Sequence, residues 1–443
     1  MITHWKIRRF LSEELERSVD IPMTSYGATL TTTTDEPLTL GQVRLAKREL
    51  RRKKWVAMAL VAPLLVFLFF FFVAPIGSML YRGVHNPVVA ELIPDTLEAL
   101  RAWDGAGRPD EVVLTRMALD MKRLAKERKS GKLAEEINRH LPGASSMVKS
   151  TARKLRRKDD AALIAGGAAL LIAANERWRQ EDLWRAIVKA GRVYTDSYYL
   201  TALDLRRNAE GELEPRSTRI YIQLYQKTLK LALLITLTCL LLGYPLAYYL
   251  AHAPAKTANL LMILVLLPFW TSLLVRTTAW IALLQTHGVV NSFLMSVHLV
   301  SEPLELLYTE FATIIAMTHI LLPFMVLPLY SVMKGIDPSL MRAALSMGAK
   351  PIPAFLSVYL PNTLPGLSAG ALLVFIISVG YYITPALVGG TDGQMISNII
   401  AFHMQQSNNW GLAAALGSLL LALILVLYWV YDRFVGAGNI KLG

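Results

Sequence analysis

Residues 337–349 read Asp-Pro-Ser-Leu-Met-Arg-Ala-Ala-Leu-Ser-Met-Gly-Ala and form a short loop between two apolar spans. Asp337 is a good helix N-cap, and Pro338 suits the first helical position, where no backbone N–H is needed. Gly348 suits the left-handed conformation that ends many helices, and Pro351 blocks continuation. The segment therefore predicts a short helix. Its apolar stripe, at i, i+3, i+4 and i+7, consists of Leu340, Ala343, Ala344 and Met347.

A second short helix is predicted over roughly 353–360, ending near Pro361 and Pro365. Two short helices around a glycine turn make a knob suited to a groove on a partner protein. The alternative interpretation is an ordinary hairpin with no partner.

Composition is typical of a membrane protein with sizeable polar parts. The chain has 443 residues and is 54% hydrophobic, which is high for a soluble protein. Six stretches are long and apolar enough to cross a hydrocarbon core of about 30 Å. The first contains Phe69-Phe70-Phe71-Phe72 and is too long, and too far from the N-terminus, for a signal peptide. The predicted spans are 55–77, 228–251, 258–284, 311–333, 367–388 and 412–431.

Lysine and arginine predict the orientation of these spans. They cluster in 44–54 and recur in the loop that contains residues 337–349, whereas the loops 285–309 and 389–410 have neither. Both termini and this loop are therefore predicted to be cytoplasmic. The net charge of +13 raises nucleic acid as a partner, but a basic cluster beside an apolar span favours a membrane-surface anchor.

These signals divide the chain into five parts. In the third part, Pro109-Asp110-Glu111 predicts a helix start, followed by Val113, Met117, Met121 and Leu124 on one face. Residues 161–174 are apolar but too short to span, so a buried helix is favoured over a seventh span. The parts are a cytoplasmic tail 1–54 with one short helix near 5–17, span 55–77, an extracytoplasmic helical insertion 78–227, a five-helix core 228–435 with the cytoplasmic loop 334–366, and a tail 436–443.

Motifs for catalysis and for metal binding are not found in the sequence. Gly131-Lys132 is followed by Leu133, so it is not a nucleotide phosphate loop, and no His-Glu-x-x-His or Cys/His cluster occurs. Residues 366–370 match Gly-x-Ser-x-Gly, but they open an apolar helix and lack the strand-turn-helix context of a nucleophile. We interpret these small residues as helix-packing ones. The chain is therefore predicted not to be an enzyme and to hold no metal or cofactor.

A few polar and aromatic residues inside the spans are candidates for a solute path. Arg276 is the one charge well inside a span, and it either snorkels to the interface or faces a water-filled path. Pro268 is predicted to break its helix before Trp270 and Thr271, and broken helices expose backbone polar groups where they line cavities. The Tyr381-Tyr382 pair is either a cation site that uses the ring faces or a pair of packing aromatics.

Residues 337–349, followed by Val358-Tyr359-Leu360-Pro361, closely resemble the EAA loop of ABC importer permeases. The family pattern is Glu-Ala-Ala, three residues, Gly, nine residues and Ile-x-Leu-Pro. In that family the loop is the cytoplasmic coupling element that docks on an ATPase subunit. Arg342 stands where the family usually has Glu, so a charge contact to the ATPase is expected to differ. The resemblance implies that the coupling residues are Leu340, Arg342, Ala343, Ala344, Met347, Gly348, Leu360 and Pro361.

Three further motifs look like the spermidine/putrescine-type branch of these permeases. They are Gly243-Tyr244-Pro245-Leu246-Ala247, residues 267–277, and Thr384-Pro385-Ala386-Leu387-Val388-Gly389-Gly390. The resemblance covers roughly 225–435 and the first span, and the insertion looks like that of an extended subgroup. One departure is that polyamine permeases have an acidic residue after a Ser-x-Gly, where this chain has Tyr381-Tyr382.

The resemblance implies an all-α inner-membrane permease with six transmembrane helices, of which the second to the sixth form a type I ABC importer-like core. It implies a second permease, two ATPase subunits that bind the ATP, a periplasmic solute-binding protein and the lipid bilayer as partners, and no nucleic acid. The solute is expected to be polyamine-like, such as putrescine or spermidine, with an opine or amino-acid derivative as the alternative. The implied solute path contains Trp270, Thr271, Arg276, Tyr381, Tyr382 and Thr384.

Two other classes of protein are weighed against this one. A stand-alone secondary carrier would need ion-coupling groups inside its spans, and carboxylates are scarce there. A membrane-anchored sensor or scaffold would use the insertion as its binding domain. Whether the insertion receives a binding protein or is a structural elaboration stays open, as do the solute's identity and the role of the N-terminal tail.

Overall fold

The computed structural model describes residues 40–208 and 211–435. The predicted helix near 5–17 and the C-terminal tail 436–443 lie outside these residues. The described chain is helical apart from loops and one two-stranded sheet, which agrees with the predicted all-α class.

Two compact units divide between Val73 and Ala74. In the first unit, helix α1 spans Leu40–Leu68 and is followed by a π-helical turn, Phe69–Val73. From Trp55 onward its large apolar side chains are exposed within the chain. Such a surface requires lipid or another apolar environment around it.

The second unit begins with helix α2 (Ala74–Arg82) and continues into the insertion. The insertion ends in a hairpin in which Leu205 of one strand lies opposite Pro215 of the other. Its elements are α3 (Val88–Leu92), α4 (Pro94–Leu100), α5 (Glu111–Lys126), α6 (Ser130–His140), α7 (Ala144–Leu155), α8 (Asp160–Ala174), a 3₁₀ turn (Glu176–Arg179), α9 (Glu181–Ala190), α10 (Ser197–Ala202), β1 (Leu205–Arg207) and β2 (Leu213–Pro215).

The insertion has its own hydrophobic core. Helix α5 begins at Glu111, as predicted, and the four residues predicted to share one of its faces are all buried. Two fully buried tryptophans complete the core. The indole N–H of Trp178 donates to the Thr151 hydroxyl at 3.1 Å, and that of Trp184 donates to the Trp178 carbonyl at 2.8 Å. Buried indoles need such partners, so these bonds restrict how the helices pack.

Helix α8 confirms that the apolar stretch 161–174 is a helix of the insertion core. Leu163 and Leu171 are fully buried in that core. The helix kinks at Gly166, which has non-helical torsion angles, and Ile164 on its other side is exposed. The prediction of burial is therefore correct for one face only.

The rest of the second unit contains the longer apolar helices, numbered onward in chain order. They are α11 (Tyr221–His252), α12 (Ala255–Trp270), α13 (Leu273–Leu284), α14 (Val289–Ser296), α15 (Glu310–Gly335), α16 (Pro338–Ser346), α17 (Pro351–Ala354), a π-helical turn (Phe355–Tyr359), α18 (Leu360–Gly380), α19 (Ile383–Val388), α20 (Ile396–Gln405) and α21 (Trp410–Val435).

Among the described residues, five helical stretches are long and apolar enough to cross a membrane, and a bent pair brings the number to six. The bent pair, Ala255–Trp270 and Leu273–Ser296, turns by 98° at its break, so the predicted span 258–284 is not one straight helix. The predicted span 367–388 is also wrong in form, because α18 ends at Gly380. The five stretches are Arg52–Arg82, Tyr221–His252, Glu310–Gly335, Pro351–Gly380 and Trp410–Arg433.

The predicted separate helix over 353–360 is also wrong. The chain is helical without interruption from Pro351 to Gly380, through the π-helical turn Phe355–Tyr359. A proline inside a helix clashes with the carbonyl four residues earlier. For Pro361 that residue is Ser357, which lies in the wider π turn. The extra width of that turn accommodates the proline, so the helix continues.

Helices α11, α15 and α18 pack together at the centre of this region. Gly366 lies against α15, since a Cβ there would come within 2.8 Å of the Pro328 carbonyl oxygen. Gly370 and Gly243 both face Met325. The interpretation of the Gly-x-Ser-x-Gly stretch as helix-packing residues is therefore confirmed at both of its glycines.

The insertion attaches to the start of α21. Tyr198 and Ala202 of α10 share a buried cluster with Leu412 and Leu416 of α21. Nearby, the Arg139 guanidinium donates to the Asn408 carbonyl at 3.4 Å. The insertion is therefore joined to the membrane helices by apolar packing as well as by its two chain connections.

Candidate coupling surface and solute path

The predicted coupling helix is present as α16, and its ends are formed as the sequence predicts. The Asp337 carboxylate accepts a hydrogen bond from the Ser339 N–H at 2.8 Å, and this bond lowers the pKa of Asp337 below its usual value. Gly348 has a φ of 89°. The N–H of Ala349 donates to the Ala344 carbonyl, and that of Gly348 to the Leu345 carbonyl. This pair of bonds is the Schellman ending of a helix.

The apolar stripe of α16 is exposed within the chain. Ala344 is buried, but Leu340 and Ala343 are exposed, and Met347 is 83% exposed. Ile352 is exposed beside this helix end as well. An apolar patch on a connecting segment is typical of a protein interaction site. We refer to Leu340, Ala343, Met347 and Ile352 as the coupling patch.

An aromatic cluster fastens the segment behind the coupling patch to α11. The ring of Tyr359 lies 5.4 Å from that of Phe355, 5.3 Å from that of Tyr248 and 5.7 Å from that of His252. The Lys334 ammonium also donates to the Ala251 carbonyl at 3.1 Å, next to the end of α11. Aromatic clusters of this kind are rigid, so motion of the patch should move α11.

The remaining predicted coupling residues lie on different surfaces. Arg342 is exposed on α16. Leu360 is half-buried and Pro361 exposed at the start of α18, inside the continuous helix rather than at the end of a short one. The sequence pattern thus located these residues but not the helix that contains them.

The first helix break lies between α12 and α13, at Thr271 and Ser272. It comes three residues after Pro268, the residue predicted to cause it. The Thr271 hydroxyl donates to the Pro268 carbonyl at 3.1 Å. Trp270 is 71% exposed within the chain, so no neighbouring helix of the described chain covers it.

The second helix break lies at Tyr381 and Tyr382, between α18 and α19. The Ser397 hydroxyl donates to the Tyr381 carbonyl at 2.8 Å, and the Asn398 amide donates to the Tyr382 carbonyl at 2.7 Å. Carbonyls freed by a helix break need such partners at membrane depth. The helix break at the tyrosine pair is therefore stabilised by side chains of α20. Neither Ser397 nor Asn398 was identified from the sequence.

Two of the predicted path residues have buried polar atoms with no hydrogen-bond partner in the described chain. They are Nε of Arg276 and the hydroxyl of Thr384, whose residue is fully buried. Arg276 lies on α13 and Thr384 on α19, and these two helices pack against each other. Trp270 and Tyr382, in contrast, are exposed within the chain and have no such buried polar surroundings.

Sequence reasoning missed His319. The Trp280 indole N–H donates to Nδ1 of His319 at 3.3 Å, which links α13 to α15. Trp280 is one helical turn after Arg276 on the same helix. The available signal was a histidine in the apolar run of α15, because polar residues inside spans are costly and tend to be functional.

Comparison with known proteins decides the family. The family model described as "Binding-protein-dependent transport system inner membrane component" matches residues 243–436. The spermidine/putrescine transport system permease protein PotB of Escherichia coli (strain K12) is 36% identical over 219 residues, which are 49% of this chain and 80% of that protein. The chain belongs to this family of inner membrane transport components.

Two further relatives agree with this membership. PotB of Haemophilus influenzae is 37% identical over 214 residues, covering 48% of this chain and 75% of that protein. The inner membrane ABC transporter permease protein YdcU of Escherichia coli is 33% identical over 228 residues, covering 48% of this chain and 71% of that protein. The chain is thus an ABC importer permease, a multi-pass inner membrane protein that serves transport rather than catalysis.

The family match includes the coupling patch, the aromatic cluster behind it and both helix breaks, and it does not include the insertion. Among solved structures, this permease is similar to a bacterial ABC transporter that imports the acidic polysaccharide alginate, with a TM-score of 0.39 and 20% identity over 49% of this chain and 81% of that chain. It is also similar to an amino acid ABC transporter, with a TM-score of 0.32 and 18% identity over 50% of this chain and 93% of that chain.

Proposed function

We propose that this permease forms half of the membrane pore of an ATP-driven importer and takes up a small amine-containing solute. The observation that carries the proposal is the coupling patch. It presents exposed apolar side chains on a helix with both ends capped, at the place where the sequence resembles the ATPase-docking loop of this family. A rigid apolar knob of this kind suits a groove on a partner protein.

The proposed partners follow from the mechanism of such importers. Two ATPase subunits bind and hydrolyse ATP, since the sequence contains no phosphate loop of its own. A second, similar permease completes the pore, and a periplasmic binding protein delivers the solute. ATP and the partners must bind the inward-open and outward-open states with different affinity, because only that difference shifts the equilibrium.

The proposed orientation places both termini and the coupling patch in the cytoplasm. The support is the distribution of lysine and arginine, which are frequent next to the patch and do not occur in the loops 285–309 and 389–410. The insertion is then extracytoplasmic. In this orientation Leu340, Arg342, Ala343, Ala344, Met347, Gly348, Leu360 and Pro361 transmit ATPase motion, and Trp270, Thr271, Arg276, Tyr381, Tyr382 and Thr384 line the solute path.

A polyamine such as putrescine or spermidine is the first candidate for the solute. Its support is that the PotB relatives, which are 36 to 37% identical over about half of this chain, are spermidine/putrescine transport permeases. The exposed rings of Trp270 and Tyr382 are further support, since aromatic faces attract cations.

An opine or another amino-acid derivative is the second candidate, and one observation favours it. None of the six predicted spans contains Asp or Glu, whereas Arg276 places a positive charge inside one of them. A pure polycation would find no carboxylate among these spans and would be repelled by the guanidinium.

Copurification tests the proposed assembly. The tagged chain is purified gently from its own cells, and the proteins that accompany it are identified by mass spectrometry. We expect a second permease and an ATPase with a phosphate loop. Met347→Glu, which places a charge on the coupling patch, should lose the ATPase and keep the second permease.

Val112→Glu is the matched control, because Val112 is an exposed apolar residue on the insertion. It should keep both partners. A clean preparation of this chain alone that still transports would overturn the proposal and favour a stand-alone carrier.

A further inference from the structure

Three helices meet in one small apolar cluster. Leu284 comes from α13, Ala312 and Ala316 come from α15, and Val388 comes from α19. The N–H of Tyr308, just before α15, donates to the Val388 carbonyl at 2.8 Å. The C-terminal end of α19 therefore lies level with the start of α15.

Each of the three helices also carries a polar residue one or two helical turns away from this cluster. Arg276 lies two helical turns before Leu284, and Thr384 lies one turn before Val388. His319 lies three residues after Ala316, and its bond with Trp280 holds it against α13. Trp280 lies one helical turn after Arg276 on α13, so the residue that binds His319 is on the helix that carries Arg276. The three residues lie on helices that pack against one another, and we refer to them together as the polar layer.

Each member of the polar layer has a hydrogen-bond donor with no partner among the described residues. Nε of Arg276 and the hydroxyl of Thr384 are buried without partners in the described chain. Because Nδ1 of His319 accepts from Trp280, the neutral ring has its hydrogen on Nε2. Buried donors of this kind usually have a partner when the protein is in use.

The layer is positively charged and has no counter-ion of its own. No ion pair among the described residues includes Arg276, and none of the six predicted spans contains a carboxylate. An unpaired charge at membrane depth is costly and usually marks a substrate or ion pathway. Arginine pairs best with a carboxylate, which its planar guanidinium binds through two parallel hydrogen bonds.

We propose that Arg276, His319 and Thr384 form a binding site for an acidic group on the transported solute. The solute class is then a small amine that also bears a carboxylate, rather than a polyamine with amino groups alone. This inference rests on the proposed function as an importer and selects its second candidate solute. Arg276 binds the carboxylate of the solute directly, and His319 and Thr384 donate hydrogen bonds to the remaining lone pairs of the carboxylate oxygens.

The test uses the complete importer reconstituted in proteoliposomes with its binding protein. The binding protein is purified from its native cells with the solute it holds, and the solute is identified by mass spectrometry. Uptake of that solute and ATP hydrolysis are then measured for the unmodified chain, Arg276→Gln, Arg276→Lys and Thr278→Val. Thr278 is the matched control, since it is exposed on the same helix and its hydroxyl bonds only to the Leu274 carbonyl.

We expect a solute with a carboxylate or another acidic group. Arg276→Gln should lower uptake about 10- to 100-fold, the effect of losing charge-assisted hydrogen bonds, while assembly and ATP hydrolysis persist. Arg276→Lys should retain part of the uptake because it keeps the charge without the planar fork. Thr278→Val should transport like the unmodified chain.

Three results would overturn the proposal. They are a solute without an acidic group, normal uptake by Arg276→Gln, or dissociation of the second permease from Arg276→Gln, which would assign Arg276 to an ion pair between subunits. Failure of the proposed importer function has a different signature, namely no ATP-dependent uptake by the unmodified chain itself.

Discussion

At the residue scale, Gly348 carries a conformational constraint that few side chains tolerate. Its φ of 89° lies in the left-handed region, while a Cβ at this position would meet no atom within 4 Å. Any loss on substitution therefore comes from backbone strain, which is about 1 to 2 kcal/mol for an L-residue, and not from a steric clash. Asparagine tolerates this region better than other residues do.

We predict that Gly348→Val lowers ATP-dependent uptake strongly and that Gly348→Asn lowers it less. Uptake and ATPase copurification measure the effect. Gly335→Ala is the control, since Gly335 also has free space around it but does not have a positive φ. Equal effects of all three substitutions would contradict an origin in the left-handed turn.

We expect His140 to make the stability of the insertion depend on pH. Burial, and then the charges of Lys189 and Arg139, lower the pKa of His140 from 6.5 to about 4. In the unfolded chain His140 has its ordinary pKa, so between these values the unfolded state binds more protons than the folded state. The free energy of unfolding should therefore decrease as the pH falls from about 6.5 to about 4.

We predict that His140→Gln removes this part of the pH dependence. The midpoint of thermal unfolding of the full permease, compared at pH 7.5 and pH 5, measures it. His287→Gln, at an exposed histidine, is the control and should keep the slope of the unmodified chain. An unchanged slope in His140→Gln would show that other groups cause the acid sensitivity.

At the element scale, the approach of α15 to α18 depends on the lack of a side chain at Gly366. A Cβ there would lie 2.8 Å from the Pro328 carbonyl oxygen and 2.9 Å from Cβ of Val332. Close packing through small residues is a main source of association between membrane helices. A side chain at Gly366 would meet backbone and Cβ atoms of α15, so the two helices would have to separate to accommodate it.

We predict that Gly366→Leu destabilises the membrane core by about 1 to 3 kcal/mol, the usual cost of overpacking. Size-exclusion profiles and melting of the detergent-purified chain measure the loss. Gly380→Leu is the control on the same helix, because no atom lies within 4 Å of a Cβ at that position. A normal profile for Gly366→Leu would mean that α15 and α18 are less closely packed in the membrane.

At the scale of the whole molecule, the attachment of the insertion depends on Tyr198. Its ring is packed against α21, and its hydroxyl accepts a hydrogen bond from the Asn86 amide at 2.7 Å. The same amide donates to Glu136, whose carboxylate also binds Arg139. Burial next to Glu136 raises the pKa of Tyr198 to about 12, so its hydroxyl stays protonated and can itself donate.

We predict that Tyr198→Ala weakens this attachment by about 3 kcal/mol, as expected for truncating a buried aromatic residue. Relative to the unmodified chain, hydrogen exchange in Tyr198→Ala should become faster in the insertion and change less in the membrane helices. Tyr194→Ala is the control, since Tyr194 is a mostly exposed tyrosine four residues earlier. Equal exchange in both variants would mean that the chain connections alone hold the insertion.

Two features of the membrane helices could not be predicted from the local sequence. The break at Tyr381 and Tyr382 depends on Ser397 and Asn398, which donate hydrogen bonds from another helix to the two freed carbonyls. The apolar run 367–388 continues across that break, so its length and hydropathy do not mark it. Pro361 by itself predicted the end of a helix. The helix continues past it because the π turn just before it is wider than an α-helical turn.

The sequence by itself determined the features whose causes are local. Runs of apolar residues long enough for a bilayer set the number of spans, and the N-cap at Asp337 and the glycine at 348 set the ends of the coupling helix. The tertiary structure decided the features that depend on distant residues. The bond between Trp280 and His319, the polar layer that includes Arg276, and the packing of Tyr198 on α21 all join residues far apart in the chain. Periodicity predicts which face of a helix is buried, but it does not identify the helix that packs against that face.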